Sequence, residues 1–200
     1  GRPVFDAVVM DAPPTGRITR FLNVNSEVAG IARMGPIHSQ AKSVMAVMGS
    51  PLTAVHLVTL LEEMPVQETI DGVEHLRAEG LPVGATIINS GRPALLTSSQ
   101  RAQALAGSLD RSGIAEALTA ADVVTTRHPH TVAELVDALT DEARDHAEQV
   151  AVAEQERARL ATLDVPQVDL AHSTSGIDLG SLYELASQLR AAGFGPEPRS

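Results

Sequence analysis

The chain has 200 residues, a formal net charge of −10, 44% hydrophobic residues and only 2% aromatics. A nucleic-acid surface needs clustered Arg and Lys to meet phosphates, so this acidic balance argues against nucleic acid as a partner. The absence of Cys excludes disulfides and thiolate zinc sites, and no zinc is expected. No apolar run approaches the ~20 residues that span a bilayer. No signal peptide opens the chain either, so the expected location is cytoplasmic, or peripheral to a membrane.

With so few aromatics, the core must be built from Val, Leu, Ile, Ala and Met, the usual filling of a parallel sheet covered by helices. Residues 4–10 form an apolar run that stops at Asp11 and predict a first strand, which begins almost at once in a chain that opens on Gly1. Residues 18–50 are long for one crossover and predict two helices, roughly 18–33 and 37–48. Their methionines, Met34, Met45 and Met48, read as core or as an adaptable apolar groove for a partner. Residues 53–61 predict a second strand, with His56 in its middle as a satisfied core histidine. Residues 65–79 predict a helix with Val66, Ile70, Val73 and Leu76 at helical spacing and Gly80 as its stop.

Residues 83–88 predict a third strand that stops at Asn89. The stretch 94–162 is far longer than a crossover needs and predicts a helical insertion, with one long helix over 131–162. Residues 165–170 predict a weaker edge strand, because Pro166 cannot donate to a ladder. A last helix over 178–192 is capped by Asp178 and ended by Gly193, and 193–200 read as a frayed tail. The fold class expected is α/β: a mostly parallel sheet forming one domain over 1–192, with helical inserts at about 18–50 and 94–162.

The strongest local signal for chemistry is residues 8–16, Val-Val-Met-Asp-Ala-Pro-Pro-Thr-Gly. An apolar strand ends in one carboxylate and enters a Pro, Thr and Gly loop. Ligands of open α/β sheets sit beyond the carboxyl ends of the strands. A carboxylate there can hold Mg²⁺ directly or through water, and Gly16 lets a backbone N–H approach a phosphate with no Cβ in the way. The alternative is a strand that ends in a capping Asp and a Pro turn.

The segment from Asp11 to Leu22, Asp-Ala-Pro-Pro-Thr-Gly-Arg-Ile-Thr-Arg-Phe-Leu, resembles the switch II segment of the ArsA/Get family. That family comprises arsenite-pump ATPases, tail-anchored-protein-targeting ATPases and bacterial anion-transporting relatives, and this chain is most similar to its high-GC bacterial branch. Residues 57–69 resemble the strand and helix start that follow there, 87–89 (Ile-Ile-Asn) the strand-end Asn that reads adenine, and 163–185 the adenine loop and closing helix. The resemblance covers nearly the whole chain in the family's order. It implies a P-loop NTPase fold of SIMIBI-like type, with ATP and Mg²⁺ as cofactors.

By this resemblance Asp11 acts at the Mg²⁺ and attacking-water side, and Pro14, Thr15 and Gly16 sense the γ-phosphate. Asn89 holds adenine, since a terminal amide offers both donor and acceptor. Glu62 stands where the family has an acidic residue near the dimer interface and the nucleotide, and Leu170 to Ser173, including Ala171, form the adenine loop. The family often has Pro where Ala171 stands.

The departures are equally plain. The only lysine is Lys42, in a segment that is no glycine-rich loop, so the P-loop and switch I carboxylate are expected upstream, and this chain alone is expected to be inactive. The Cys residues of the arsenite pumps and targeting factors are missing. The resemblance implies an ATPase that works as a homodimer or with a paralogue, on a transport or membrane-protein-targeting task. Its rival is a non-catalytic subunit that binds nucleotide or captures a hydrophobic helix, such as a membrane-protein client. Among weaker candidates, His128 and His130 make a poor metal site without a third ligand. The pairs Glu62-Glu63 and Asp141-Glu142 read as a turn or helix start and a solvated helix face. No Gly-x-Ser-x-Gly motif is present.

Overall fold

The computed structural model describes residues 5, 7–13, 35–91, 93–122, 131–173 and 176–195. In chain order the elements are α1 (Pro36–Met48), β1 (Val55–Thr59), α2 (Glu63–Ala78), β2 (Val83–Gly91), α3 (Ser98–Leu105), α4 (Arg111–Ala120), α5 (Val132–Leu160), a 3₁₀ turn (Ala161–Leu163), β3 (Gln167–Ala171) and α6 (Leu179–Ala191). They form two compact units. The first takes the residues up to Gly91 and from Arg159 onward, and the second is Arg92–Ala158.

The first unit is the expected α/β structure. Its three described strands form one parallel sheet in the order β1-β2-β3. β1 and β2 are rich in β-branched residues, which suit a pleated, half-buried strand. Alternation puts Leu57, Thr59, Thr86 and Ile88 on one face, all of them buried. That face meets α2, whose Val66, Val73 and Leu76 are fully buried, together with Leu160 and Leu163. Met48 of α1 packs against the same cluster.

The helix ends follow from local chemistry. Gly80, at φ 68°, lets the chain reverse after α2. The Leu81 N–H then reaches the Leu76 carbonyl and the Gly80 N–H that of Arg77, a Schellman closure that seats Leu81 on the core. Arg77 donates to the Leu163 carbonyl at 2.8 Å, tying α2 to the 3₁₀ turn. Asp178 caps α6 by accepting from the Ser181 N–H at 2.8 Å, while Ser181 Oγ accepts from the Asp178 N–H.

In the described residues two expectations are not matched. Residues 4–10 were expected as a strand, yet the described part of that run has no ladder partner, and Phe5, Val8, Val9 and Met10 are exposed. An apolar run becomes a strand only when another strand accepts its backbone hydrogen bonds, and none of the described strands does so here. The start of the tail does not fray. Gly193 N–H bonds to Arg190 O and Phe194 N–H to Leu189 O, a second Schellman closure. Helix 18–33, Met34, His128 and His130 lie outside the described residues.

The second unit is helical. Thr97 and Gln100 form a capping box on α3. Thr131 and Glu134 do the same for α5: the Thr131 N–H donates to Glu134 Oε2 at 2.7 Å, and the Glu134 N–H to Thr131 Oγ1 at 3.2 Å. Within the unit, Arg101 pairs with Glu154 at 2.9 Å and Arg111 pairs with Asp137. Among the described residues no helix is long and apolar enough to cross a membrane.

Candidate functional site

Because the three strands are parallel, their carboxyl ends share one edge. Thr59 aligns with Ile88, and Ile88 with Asp169. Just beyond that row lie Leu60 to Glu62 after β1, Asn89 on β2, and Leu170 and Ala171 on β3. Four of the residues singled out from the sequence, Glu62, Asn89, Leu170 and Ala171, therefore meet at one end of the sheet.

The backbone at Asn89 is irregular. Between Ile88 and Gly91 β2 contains one residue more than β3 does between Asp169 and Ala171. The extra residue is accommodated by Ser90, which adopts a left-handed conformation at φ 55°. Its N–H, released from the ladder, bonds to Asn89 Oδ1 at 2.9 Å. A bulge of this kind bends a strand and re-aims its side chain, and such features cluster beside functional sites. Asn89 is exposed. One lone pair of its oxygen is used by Ser90; among the described residues, the second lone pair and both amide hydrogens have no partner.

The neighbours are held by their own bonds. Ala171 N–H donates to Gln188 Oε1 of α6 at 2.8 Å, and His172 N–H to Gly91 O at 3.1 Å, extending the pairing past the bulge. Ser173 Oγ donates to Gly176 O at 2.6 Å and closes the loop toward α6. Leu170 is buried, so its side chain belongs to the core and the loop that can face a ligand starts at Ala171. Glu62 occupies the N-cap position of α2 with an extended backbone, and its exposed carboxylate makes no capping bond. Asp11 is exposed in the unpaired segment. Pro14, Thr15 and Gly16 lie outside the described residues.

His56 differs from its expected place. It lies at the surface near the amino end of β1, rather than in the core, although its Nδ1 does accept a hydrogen bond, from Ala85 N–H at 3.0 Å. The roles of Ser90 and Gln188 were not foreseen. The run Asn89-Ser90-Gly91 after two isoleucines carried a signal for Ser90, since such residues favour turns and bulges at a strand end. A cleft of about 200 Å³ lies within the second unit, lined by Arg111, Thr140, Asp141 and Arg144 among others. Its charges are largely balanced, with Arg111 held by Asp137 and Asp141 in the lining.

No family model matches the sequence. Among curated proteins, the chain is 41% identical over 195 residues to ATPase BagA of Mycobacterium tuberculosis, an alignment covering 96% of this chain and 54% of that protein. A Mycobacterium bovis protein, provisionally named an ATPase, matches with the same identity and coverage. The chain is thus similar, over nearly all of its own length, to proteins named as ATPases. The chain spans about half the length of the curated relatives it matches, 54% in each case.

Proposed function

We propose that this chain forms the switch and base-binding part of the ATP site of an ATPase of the ArsA/Get kind. The observation that carries the reading is the bulged strand end that presents Asn89 at the carboxyl edge of a parallel sheet. The 41% identity to proteins named as ATPases supports it. In this reading Asn89 holds the adenine edge and the loop from Ala171 to Ser173 flanks the base. Glu62 lies toward a dimer seam. The Asp11 carboxylate holds Mg²⁺ through water, and Pro14, Thr15 and Gly16 respond to the γ-phosphate. Bound MgATP supplies the phosphoryl bond whose cleavage drives the cycle, while the protein's part is positioning and charge stabilisation. Two exposed groups support the reading: Asn89, whose amide hydrogens have no partner among the described residues, and the carboxylate of Asp11. We further infer a dimer, of two copies or with a paralogue, whose opening and closing serves transport or membrane-protein targeting.

The test is ATP hydrolysis with Mg²⁺ by the longest polypeptide that the gene encodes, beside an Asp11→Asn variant. Loss of a well-placed charge at such a centre is expected to lower kcat by on the order of 10²-fold or more. Equal turnover in the variant would remove Asp11 from the site, and failure of the wild type to bind nucleotide would overturn the reading.

A further inference from the structure

The amino ends of β1 and β2 hold a second irregularity. Val55 pairs with Val83 and Leu57 with Thr86, so two residues of β2, Gly84 and Ala85, face the single residue His56. A bulge leaves a backbone N–H without its ladder acceptor. Here the donor is Ala85, which is buried, and His56 Nδ1 accepts from it at 3.0 Å. The imidazole lies directly against Gly84: a Cβ placed there would be 2.4 Å from His56 Cε1. Phe194 lies beside the same ring, with ring centroids 4.9 Å apart and an interplanar angle of 59°. The turn that carries Phe194 is fixed by its N–H bond to Leu189 O at 2.9 Å.

We propose that His56 is an acid-sensitive pin: neutral, it holds the β1–β2 bulge closed through the Ala85 N–H, and protonated, it releases that bond. The bond from Ala85 requires a bare Nδ1, hence the neutral ring with its proton on Nε2. A second proton sets N–H against N–H and orphans a buried donor, which costs more than an ordinary hydrogen bond contributes. Partial burial of the ring lowers its pKa below the ordinary 6.5, and that burial is the only cause of the shift. β1 and β2 contain no other titratable residue, and the titratable groups of α6 are Tyr183, Glu184 and Arg190. The folded pKa lies below the unfolded one, so the unfolded chain binds the proton more tightly. The pin's contribution is therefore complete above the unfolded value and is lost as pH falls through the window below it.

The test is amide hydrogen exchange of the full chain, read by NMR at Ala85 between about pH 7.5 and pH 5, the range in which histidines titrate. The variants are His56→Asn, whose Oδ1 can accept in place of Nδ1 without titrating, and His56→Ala. In the wild type, Ala85 protection, corrected for intrinsic exchange, is expected to fall at least about tenfold on acidification, while Ile88 stays protected. His56→Asn is expected to keep Ala85 protected throughout, and His56→Ala to leave it unprotected throughout. Wild-type protection that is constant with pH would overturn the proposal. So would the same pH dependence in His56→Asn, and these two comparisons decide even if His56→Ala does not fold.

Discussion

Strand β2 leaves regular register at both ends, and the two ends are treated in opposite ways. At its amino end the released Ala85 N–H is met by a side chain from the neighbouring strand, and Gly84 gives that ring room. At its carboxyl end the released Ser90 N–H is met by the adjacent Asn89, and the rest of the Asn89 amide faces outward. The first irregularity is closed by the protein itself, while the second is left partly open. A polar group whose hydrogen bonds are completed internally contributes to stability; one left incomplete at the carboxyl edge of a parallel sheet is available to a ligand. The same strand thus has one end completed internally and one end with an exposed amide, the end proposed to bind nucleotide.

The largest effect that would sharpen this contrast concerns two adjacent residues. Ile88 is fully buried, and Ile88→Ala is expected to cost ~2–5 kcal/mol of unfolding free energy in a denaturant titration. Asn89 is exposed, and Asn89→Ala is expected to stay within roughly 0.5 kcal/mol. A large loss in Asn89→Ala would mean that the carboxyl-end bulge is structural after all.

Next comes Gly84→Ala. Its new Cβ would press on the imidazole, at an expected cost of about 1–3 kcal/mol. Because the clash is with His56, the cost should shrink markedly in a His56→Ala background, and a double-mutant cycle measures that coupling. Simple additivity would show that the two residues do not meet.

The smallest effects are those of pH. Hydrogen bonds from Ser181, first its backbone N–H, hold the Asp178 carboxyl below its ordinary 3.8. A depressed carboxylate stabilises above its unfolded pKa and loses that contribution as pH falls through the folded value. Fraying of α6, followed by exchange of its first-turn amides, is therefore expected only in strong acid. Release of the His56 pin is expected at milder acidity, beginning below about 6.5. A single shared transition would contradict two independent devices.

Much of this architecture is legible in the sequence for local reasons. The β-branched runs at 55–59 and 83–88 mark strands, Gly80 and Gly193 mark helix ends, and Asp178 marks a cap. The short helices α3 and α4 are harder to see, because their apolar periodicity is weak, although Thr97-Ser98-Ser99-Gln100 spells a capping box. The run at 4–10 misleads because strand formation depends on a partner that local pattern cannot supply. The run Asn89-Ser90-Gly91 hints at an irregular strand end, but the registers of both bulges are illegible for the same reason: an extra residue on β2 exists only relative to its pairing with β1 and β3. Hence Asn89 can be picked out as a strand-end amide, while its fixing through Ser90 and the duty of His56 at Ala85 emerge only in three dimensions.

The most direct test of the open end is nucleotide affinity, measured by calorimetry with MgATP on the longest polypeptide the gene encodes, for the wild type and Asn89→Ala. Loss of the base-facing amide is expected to weaken binding about tenfold, equivalent to ~1.4 kcal/mol, with the denaturation midpoint unchanged. Equal affinity in the two proteins, or no binding by the wild type, would contradict the assignment of the carboxyl edge of β2 as the base-binding end.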